Sequence, residues 1–183
     1  MIELLDVPQR SPEWLKLRQN KVSGTSAYIL LTRGLKEALR ANDKTFKPNS
    51  AMLRGQYLEN PAIEIYEKVY QVDILRIGLV LNSLYPNCCF SPDGVQKDTL
   101  LLEVKAFNEK RHRAINTVDD IPPQIMAQVQ FGMMMLELRK AKLIMYNPDI
   151  EDIDEAYKII KVRFNKAIQD NFRNRLNDQI TTA

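Results

Sequence analysis

A central mixed β-sheet flanked by helices, an α/β (α+β-like) arrangement forming one domain over residues 1–183, is what this sequence predicts. Three observations lead there. Ser11-Pro12-Glu13 is a capped helix start; residues from about Ser50 to Tyr70 repeat their apolar side chains at helical spacing; and short apolar segments at Leu100–Lys105, Lys142–Tyr146 and Tyr157–Phe164 read as strands. A chain of 183 residues has room for a real core in one compact unit.

Taken in order, the first helix has Ser11 as its cap, Pro12 at its first position and Glu13 near its positive end. Trp14 and Leu17 form its apolar stripe, and Arg18 and Lys21 lie at or beyond its last turn. Val22-Ser23-Gly24-Thr25-Ser26 is a tight polar junction into a second helix through Ala27–Leu31. Backbone N–H groups and hydroxyls at such a start suit a phosphate, although Thr25 or Ser26 would serve equally as a plain helix cap. Residues from about Lys36 to Pro48 are polar and basic, with Asn42-Asp43-Lys44 as a loop. In the long helix, Ile63, Tyr66 and Tyr70 mark the packed face, Glu59 precedes Ile63 by one turn, and Pro61 is expected either to kink the helix interior or to mark its first turn. Strand and turn material runs from Val72 to Leu81, and Cys88-Cys89-Phe90 is a short strand. Beyond Lys105 the chain is basic and polar through Arg113, until Asp119-Asp120-Ile121-Pro122-Pro123 opens a helix from about Gln124 to Arg139. Met133-Met134-Met135 is adaptable core packing. Ile160, Val162 and Phe164 point inward from the last strand, with Lys161 and Arg163 outward, and a charged amphipathic helix follows from Asn165.

The chemistry concentrates at Ser91-Pro92-Asp93-Gly94 and the strand Leu100-Leu101-Leu102-Glu103-Val104-Lys105. Alternation along a strand puts Glu103 and Lys105 on one face and Val104 on the other. Charges within an apolar run need a partner, because burying unpaired charge is costly. A divalent metal supplies one: Asp93 and Glu103 offer hard oxygen ligands, the Val104 carbonyl another, and Glu59 would join from its helix unless it faces solvent. Lys105 would then orient or deprotonate an attacking water. Read more plainly, Pro-Asp-Gly is an ordinary turn and Glu-x-Lys a solvated polar face. Gln124 and Gln128 lie one turn apart on an otherwise apolar helix that also carries Gln130; they would bind a nucleotide phosphate or the water, or simply be exposed.

Composition narrows the alternatives. No apolar run approaches the roughly 18 residues of a membrane span, and the start lacks a basic-then-apolar leader. The two cysteines, Cys88 and Cys89, are adjacent, which argues against a disulfide framework, a zinc site or an iron–sulfur cluster. A reducing, cytoplasmic location follows. The single histidine, His112, lies among Lys110, Arg111 and Arg113 and is expected at the surface. A net charge of +3 and a pI of about 8.8 permit a nucleic-acid partner. Arg18, Lys21, Arg33, Lys36, Arg40, Lys44 and Lys47 form a basic stripe able to follow a DNA backbone, or else ordinary solvated surface.

Six blocks in order carry a resemblance: Trp14-x-x-Leu17-Arg18, Val22-Ser23-Gly24-Thr25, Arg54-Gly55-Gln56-Tyr57-Leu58-Glu59-Asn60, Ser91-Pro92-Asp93-Gly94, Leu102-Glu103-Val104-Lys105 and Met126-Ala127-Gln128-Val129-Gln130. From about residue 11 to 146 the chain resembles the phage lambda-type exonucleases, the YqaJ-like viral recombinase group of the PD-(D/E)xK nuclease superfamily. The resemblance implies a restriction-endonuclease-like core. It also implies a processive, Mg²⁺-dependent 5′-to-3′ exonuclease, with Mn²⁺ as a substitute ion. Such an enzyme acts on double-stranded DNA ends, releases mononucleotides and leaves a 3′ single-stranded tail for an annealing protein. Family members assemble as homotrimeric rings. By the same resemblance Asp93, Glu103, Val104 and Glu59 would hold metal, Lys105 would be the catalytic lysine, and Gln128 would position the scissile phosphate or water. Arg18 and Thr25 would hold the terminal 5′-phosphate or the phosphate nearby, with Ser23 or Ser26 as the alternative hydroxyl; Gln124 and Gln130, as read above from their helix, would be further DNA-phosphate contacts. The competing readings are an endonuclease on the same core and a non-catalytic DNA-binding subunit.

Overall fold

A computed structural model describes residues 1–42, 49–97 and 99–177. Strand β1 (Ile2–Leu5) pairs antiparallel with β2 (Leu79–Asn82). A separate four-stranded mixed sheet has the order β3 (Gly94–Gln96), β4 (Leu100–Lys105), β5 (Lys140–Tyr146), β6 (Tyr157–Arg163). Only β4 and β5 are parallel, with Glu103 opposite Leu143. A parallel pair needs a crossover, and the helices between these strands provide it.

Two of the helices that frame the site begin at a capping side chain. The Ser11 hydroxyl accepts from the Trp14 amide at the start of α1 (Pro12–Arg18), and Asn49 caps α4 (Ser50–Tyr70) by accepting from the Met52 amide. A 3-10 turn at Gly24–Ser26 leads into α2 (Ala27–Arg33), and α3 (Leu35–Asn42) follows. The polar stretch after Lys36 is helical up to Asn42; Leu35 and Ala38 are buried and hold it to the core. The expected Asn42-Asp43-Lys44 loop, and Lys44 and Lys47 of the basic stripe, lie mostly outside the described residues.

Helix α4 runs through Pro61. Proline lacks the amide that would bond the Tyr57 carbonyl, so one rung is lost without ending the helix. Its Ala62, Ile63 and Tyr66 pack on Leu100, Leu102 and Val104 of β4, one face of the sheet. The other face, through Leu101, Leu143 and Met145, belongs to a larger core shared with Ala27, Leu30, Val129, Met133 and Phe172. The alternation of β4 thus sends Leu100, Leu102 and Val104 toward α4, and leaves Leu101, Glu103 and Lys105 toward the opposite side.

Two further corrections concern the middle of the chain. The basic segment after Lys105 contains a short helix, α5 (Glu109–Ala114), capped by Asn108, and His112 on it is buried rather than at the surface, its Nε2 2.7 Å from the Glu155 carbonyl. Helix α6 (Pro123–Met135) stops short of Arg139: Glu137 turns left-handed at φ 55°, and the chain enters β5 at once. Short α7 (Ile153–Ala156) and α8 (Lys166–Asn177) complete the described chain, and among the described residues no helix is long and apolar enough to cross a membrane.

Phe90 sets how closely α6 approaches the sheet. A methyl group on Gly132 would lie 2.4 Å from Phe90 Cζ and 2.7 Å from Leu101 Cδ2, inside contact distance for two fully buried side chains. Gly132→Ala is expected to destabilise the fold by about 1–3 kcal/mol, read as a lowered urea midpoint at unchanged slope.

Candidate nuclease centre

The β3–β4 pair brings the two strand acids together. Gly94 faces Leu102 in the antiparallel register, so Asp93, one residue before β3, falls beside Glu103. Asp93 Oδ2 accepts a 2.7 Å hydrogen bond from the Val104 amide. In a strand the N–H and C=O of one residue point to the same edge, so the Val104 carbonyl is directed toward Asp93 as well.

Glu103 is almost completely buried, with 1% of its side chain exposed. Its Oε1 accepts from Lys105 Nζ at 2.6 Å and from Gln128 Nε2 of α6. Its Oε2 is buried with no hydrogen-bond partner. A carboxylate oxygen left bare in the interior is strongly unfavourable by itself, and a cation is the natural partner. Glu59 reaches the same region from α4: with Asp93, Arg10, Gln56, Asn60 and Arg76 it lines a cleft of about 350 Å³. Arg10 Nη2 stands 3.6 Å from Glu59 Oε2.

The crowding of acids is legible in their proton affinities. Burial, followed by the charge of Asp93, pushes the Glu103 carboxyl up to about 8 against the pull of Lys105. Burial and Asp93 likewise push Glu59 up to about 7, with Arg10 and Lys105 opposing. Asp93 is raised by burial despite Lys105, the Val104 amide and Arg10. For Lys105 burial pulls downward, but Glu103, Asp93 and Glu59 outweigh it, and the ammonium is held above its ordinary value.

Among the described residues no three His, Cys, Asp or Glu side chains close into a ready-made metal cage. The donor set present instead suits Mg²⁺, which takes one or two carboxylates and keeps several waters. Asp93, the bare Glu103 Oε2 and the Val104 carbonyl are the groups that would hold it, with Glu59 alongside.

The expected phosphate side divides. Arg18 stacks over Trp14 at 4.1 Å, and its Nη1 lies 3.5 Å from Ser91 Oγ, two residues before Asp93. Trp14 Nε1 also donates to Ser91 Oγ (2.9 Å) and to the Gly78 carbonyl (3.0 Å), which pins α1 to the Ser91–Asp93 turn. Thr25 is exposed, with its Oγ1 2.9 Å from Ser23 Oγ, whereas Ser23 is fully buried; the exposed hydroxyl of the pair is Thr25. Gly24 sits against Gln128 and Phe90, so this turn adjoins the helix that contacts Glu103. Gln124 is exposed one turn before Gln128.

Gln130 does not belong with them. It is buried, donates to the Arg163 carbonyl (2.8 Å) and accepts from the Asn165 amide (3.0 Å), tying α6 to the end of β6. A buried amide facing away from the acids cannot meet DNA. The residue that sequence reasoning overlooked is Arg10, for which the only local signal was its place just before the α1 cap.

The sequence pattern of the YqaJ-like viral recombinase domain matches residues 13–139. An alkaline exonuclease, LHK-Exo of Laribacter hongkongensis, has a similar fold: 22% identity, 92% of this chain and 90% of that one covered, TM-score 0.77. The same enzyme in complex with dAMP superposes over the same spans with a TM-score of 0.78. A phage-related exonuclease from Haemophilus somnus 129PT is also similar, at 13% identity, 89% and 93% coverage and a TM-score of 0.66. None of the curated proteins matches in sequence.

Proposed function

The chain belongs to the YqaJ-like viral recombinase domain family, and on that premise we propose that it is a Mg²⁺-dependent deoxyribonuclease working as a 5′-to-3′ exonuclease on double-stranded DNA ends. The observation that carries this reading is the buried Glu103 carboxylate, with one oxygen fixed by Lys105 and Gln128 and the other bare, beside an Asp93 that the Val104 amide orients. Exonucleases of the same fold support it, one of them solved with a nucleotide.

In this mechanism Asp93 and Glu103 would hold the ion with carboxylates already oriented, Asp93 by the Val104 amide and Glu103 by Lys105 and Gln128 on its Oε1. The chemistry a divalent ion would supply at these residues is polarisation of the scissile phosphate and a lower pKa for a bound water. Lys105 enters as an ammonium, since the surrounding acids hold its proton on; its role is to neutralise charge gathering on the phosphate rather than to take a proton from water. Gln128 keeps Glu103 in place from the α6 side, its Cγ packed beside Gly24, and Thr25 of that turn together with Arg18 would receive a phosphate of the strand end.

Digestion of linear duplex with a 5′-phosphate, alongside closed circular duplex, tests the proposal in Mg²⁺ and in EDTA. Loss of the linear DNA alone, as mononucleotides and only with Mg²⁺, is the expected result. Cutting of the circle would make the chain an endonuclease, and intact DNA of both kinds would make it a binding subunit. Homotrimeric assembly and supply of a 3′ tail to an annealing protein belong to the same proposal.

A further inference from the structure

Arg10 occupies a backbone position made for another residue. The Ser11 amide bonds the Pro8 carbonyl at 3.1 Å, closing a tight turn in which Arg10 is the third residue, with φ at 70°. A positive φ at that place is the type II pattern, which ordinarily takes glycine or asparagine. An arginine there holds a conformation that L side chains disfavour.

The loop that carries it is clamped. The Gly78 amide donates to the Leu5 carbonyl at 3.1 Å, and a methyl group on Gly78 would collide with the Val7 carbonyl oxygen at 1.8 Å. Gln9 Nε2 lies 3.3 Å from the Pro92 carbonyl, next to Asp93. The turn thus delivers the Arg10 guanidinium into the cleft of Glu59 and Asp93, where it stands 3.6 Å from Glu59 Oε2.

We propose that Arg10 is the resident counter-ion of the acid cluster: it occupies Glu59 in the free protein, competes with the divalent ion for that carboxylate, and so sets how tightly the ion is held. The inference rests on Glu59 and Asp93 belonging to a metal site. Arg10 is then a positioning residue that acts through Glu59. Its guanidinium, displaced from Glu59 when the ion arrives, stays within the cleft as a cation available to a DNA phosphate.

Calorimetric titration of the DNA-free full chain with Mn²⁺ alone tests this. Removing a unit cation from beside a divalent ion in a partly solvated cleft should tighten binding by roughly 3- to 10-fold in both Arg10→Ala and Arg10→Gly, with the gain shrinking in high salt. Arg10→Lys should bind within about twofold of the original chain, because it keeps the charge on the same strained backbone. Arg10→Gly removes that backbone cost, so it separates a charge effect from a folding effect.

An unchanged Kd in Arg10→Ala and Arg10→Gly, with the original chain binding Mn²⁺, overturns the inference alone. The same holds if Arg10→Lys tightens as much as Arg10→Ala. No Mn²⁺ binding by the original chain overturns the metal reading of the site, and the inference with it.

Discussion

Glu103→Gln protein is expected to lose DNA cleavage by roughly 10³-fold or more while remaining folded and still binding duplex. Glutamine keeps the shape and an oxygen for Lys105, but removes the charge that Oε2 offers to a cation. The same substitution carries a second signature in the metal-free protein. Burial and Asp93 raise the Glu103 carboxyl to about 8, and burial and Asp93 raise Glu59 to about 7, both from an ordinary value of 4.5. A raised acid means that the folded state keeps a proton that the unfolded state releases. Their contribution to stability is therefore complete below about pH 4.5 and lost as pH climbs through about 7 and 8. Thermal melts in EDTA should show Tm falling across that window, with a shallower fall in Glu103→Gln and a rise on adding Mg²⁺ that is largest at the alkaline end. A Glu103→Gln enzyme with more than a tenth of the original rate would remove Glu103 from the chemistry.

Lys105→Ala has the second largest expected effect, a loss of roughly 10²- to 10³-fold in cleavage rate. The ammonium is 2.6 Å from Glu103 Oε1 and is the cation through which a buried carboxylate cluster remains tolerable. Its removal leaves Glu103 with Gln128 as its remaining hydrogen-bond partner and takes away charge neutralisation at the phosphate. Metal-free Lys105→Ala should also unfold at lower temperature at pH 8 than at pH 5, by a wider margin than the original chain does. Comparing rates at saturating Mg²⁺, where the ion replaces part of the lost positive charge, separates the two effects. A rate that recovers fully there would confine Lys105 to structure.

What could be read from sequence is what is encoded within a few residues. The α1 start follows from Ser11 and Pro12, and the α4 limits Ser50 and Tyr70 follow from its apolar spacing. The β4 face that carries Glu103 and Lys105 follows from simple alternation. The two strand acids were legible for the same reason, since Asp93 and Val104 are linked inside one hairpin. Misreadings arose where a distant partner decides. His112 sits among cations in sequence, yet its ring is covered and meets the Glu155 carbonyl. Gln130 shares a helix with Gln128 but faces the end of β6 instead of the acids. Arg10 was invisible because its importance lies in a φ angle and in a carboxylate 49 positions away (10 to 59).

The contact of Phe90 with both Gly24 and Gly132 has a consequence for how this chain can vary. One ring fills the space that side chains at either glycine would need, and it stands immediately before the Ser91–Asp93 turn. These three positions are therefore not free to drift singly: a side chain at Gly132 becomes tolerable only after Phe90 has shrunk, and a smaller residue at Phe90 leaves a void until a glycine has grown. Their effects should be strongly non-additive in a double-mutant cycle. Lineages crossing between such solutions must pass through a weakened intermediate, which makes this buried trio a historical constraint on the nuclease centre although none of its members touches a reacting atom.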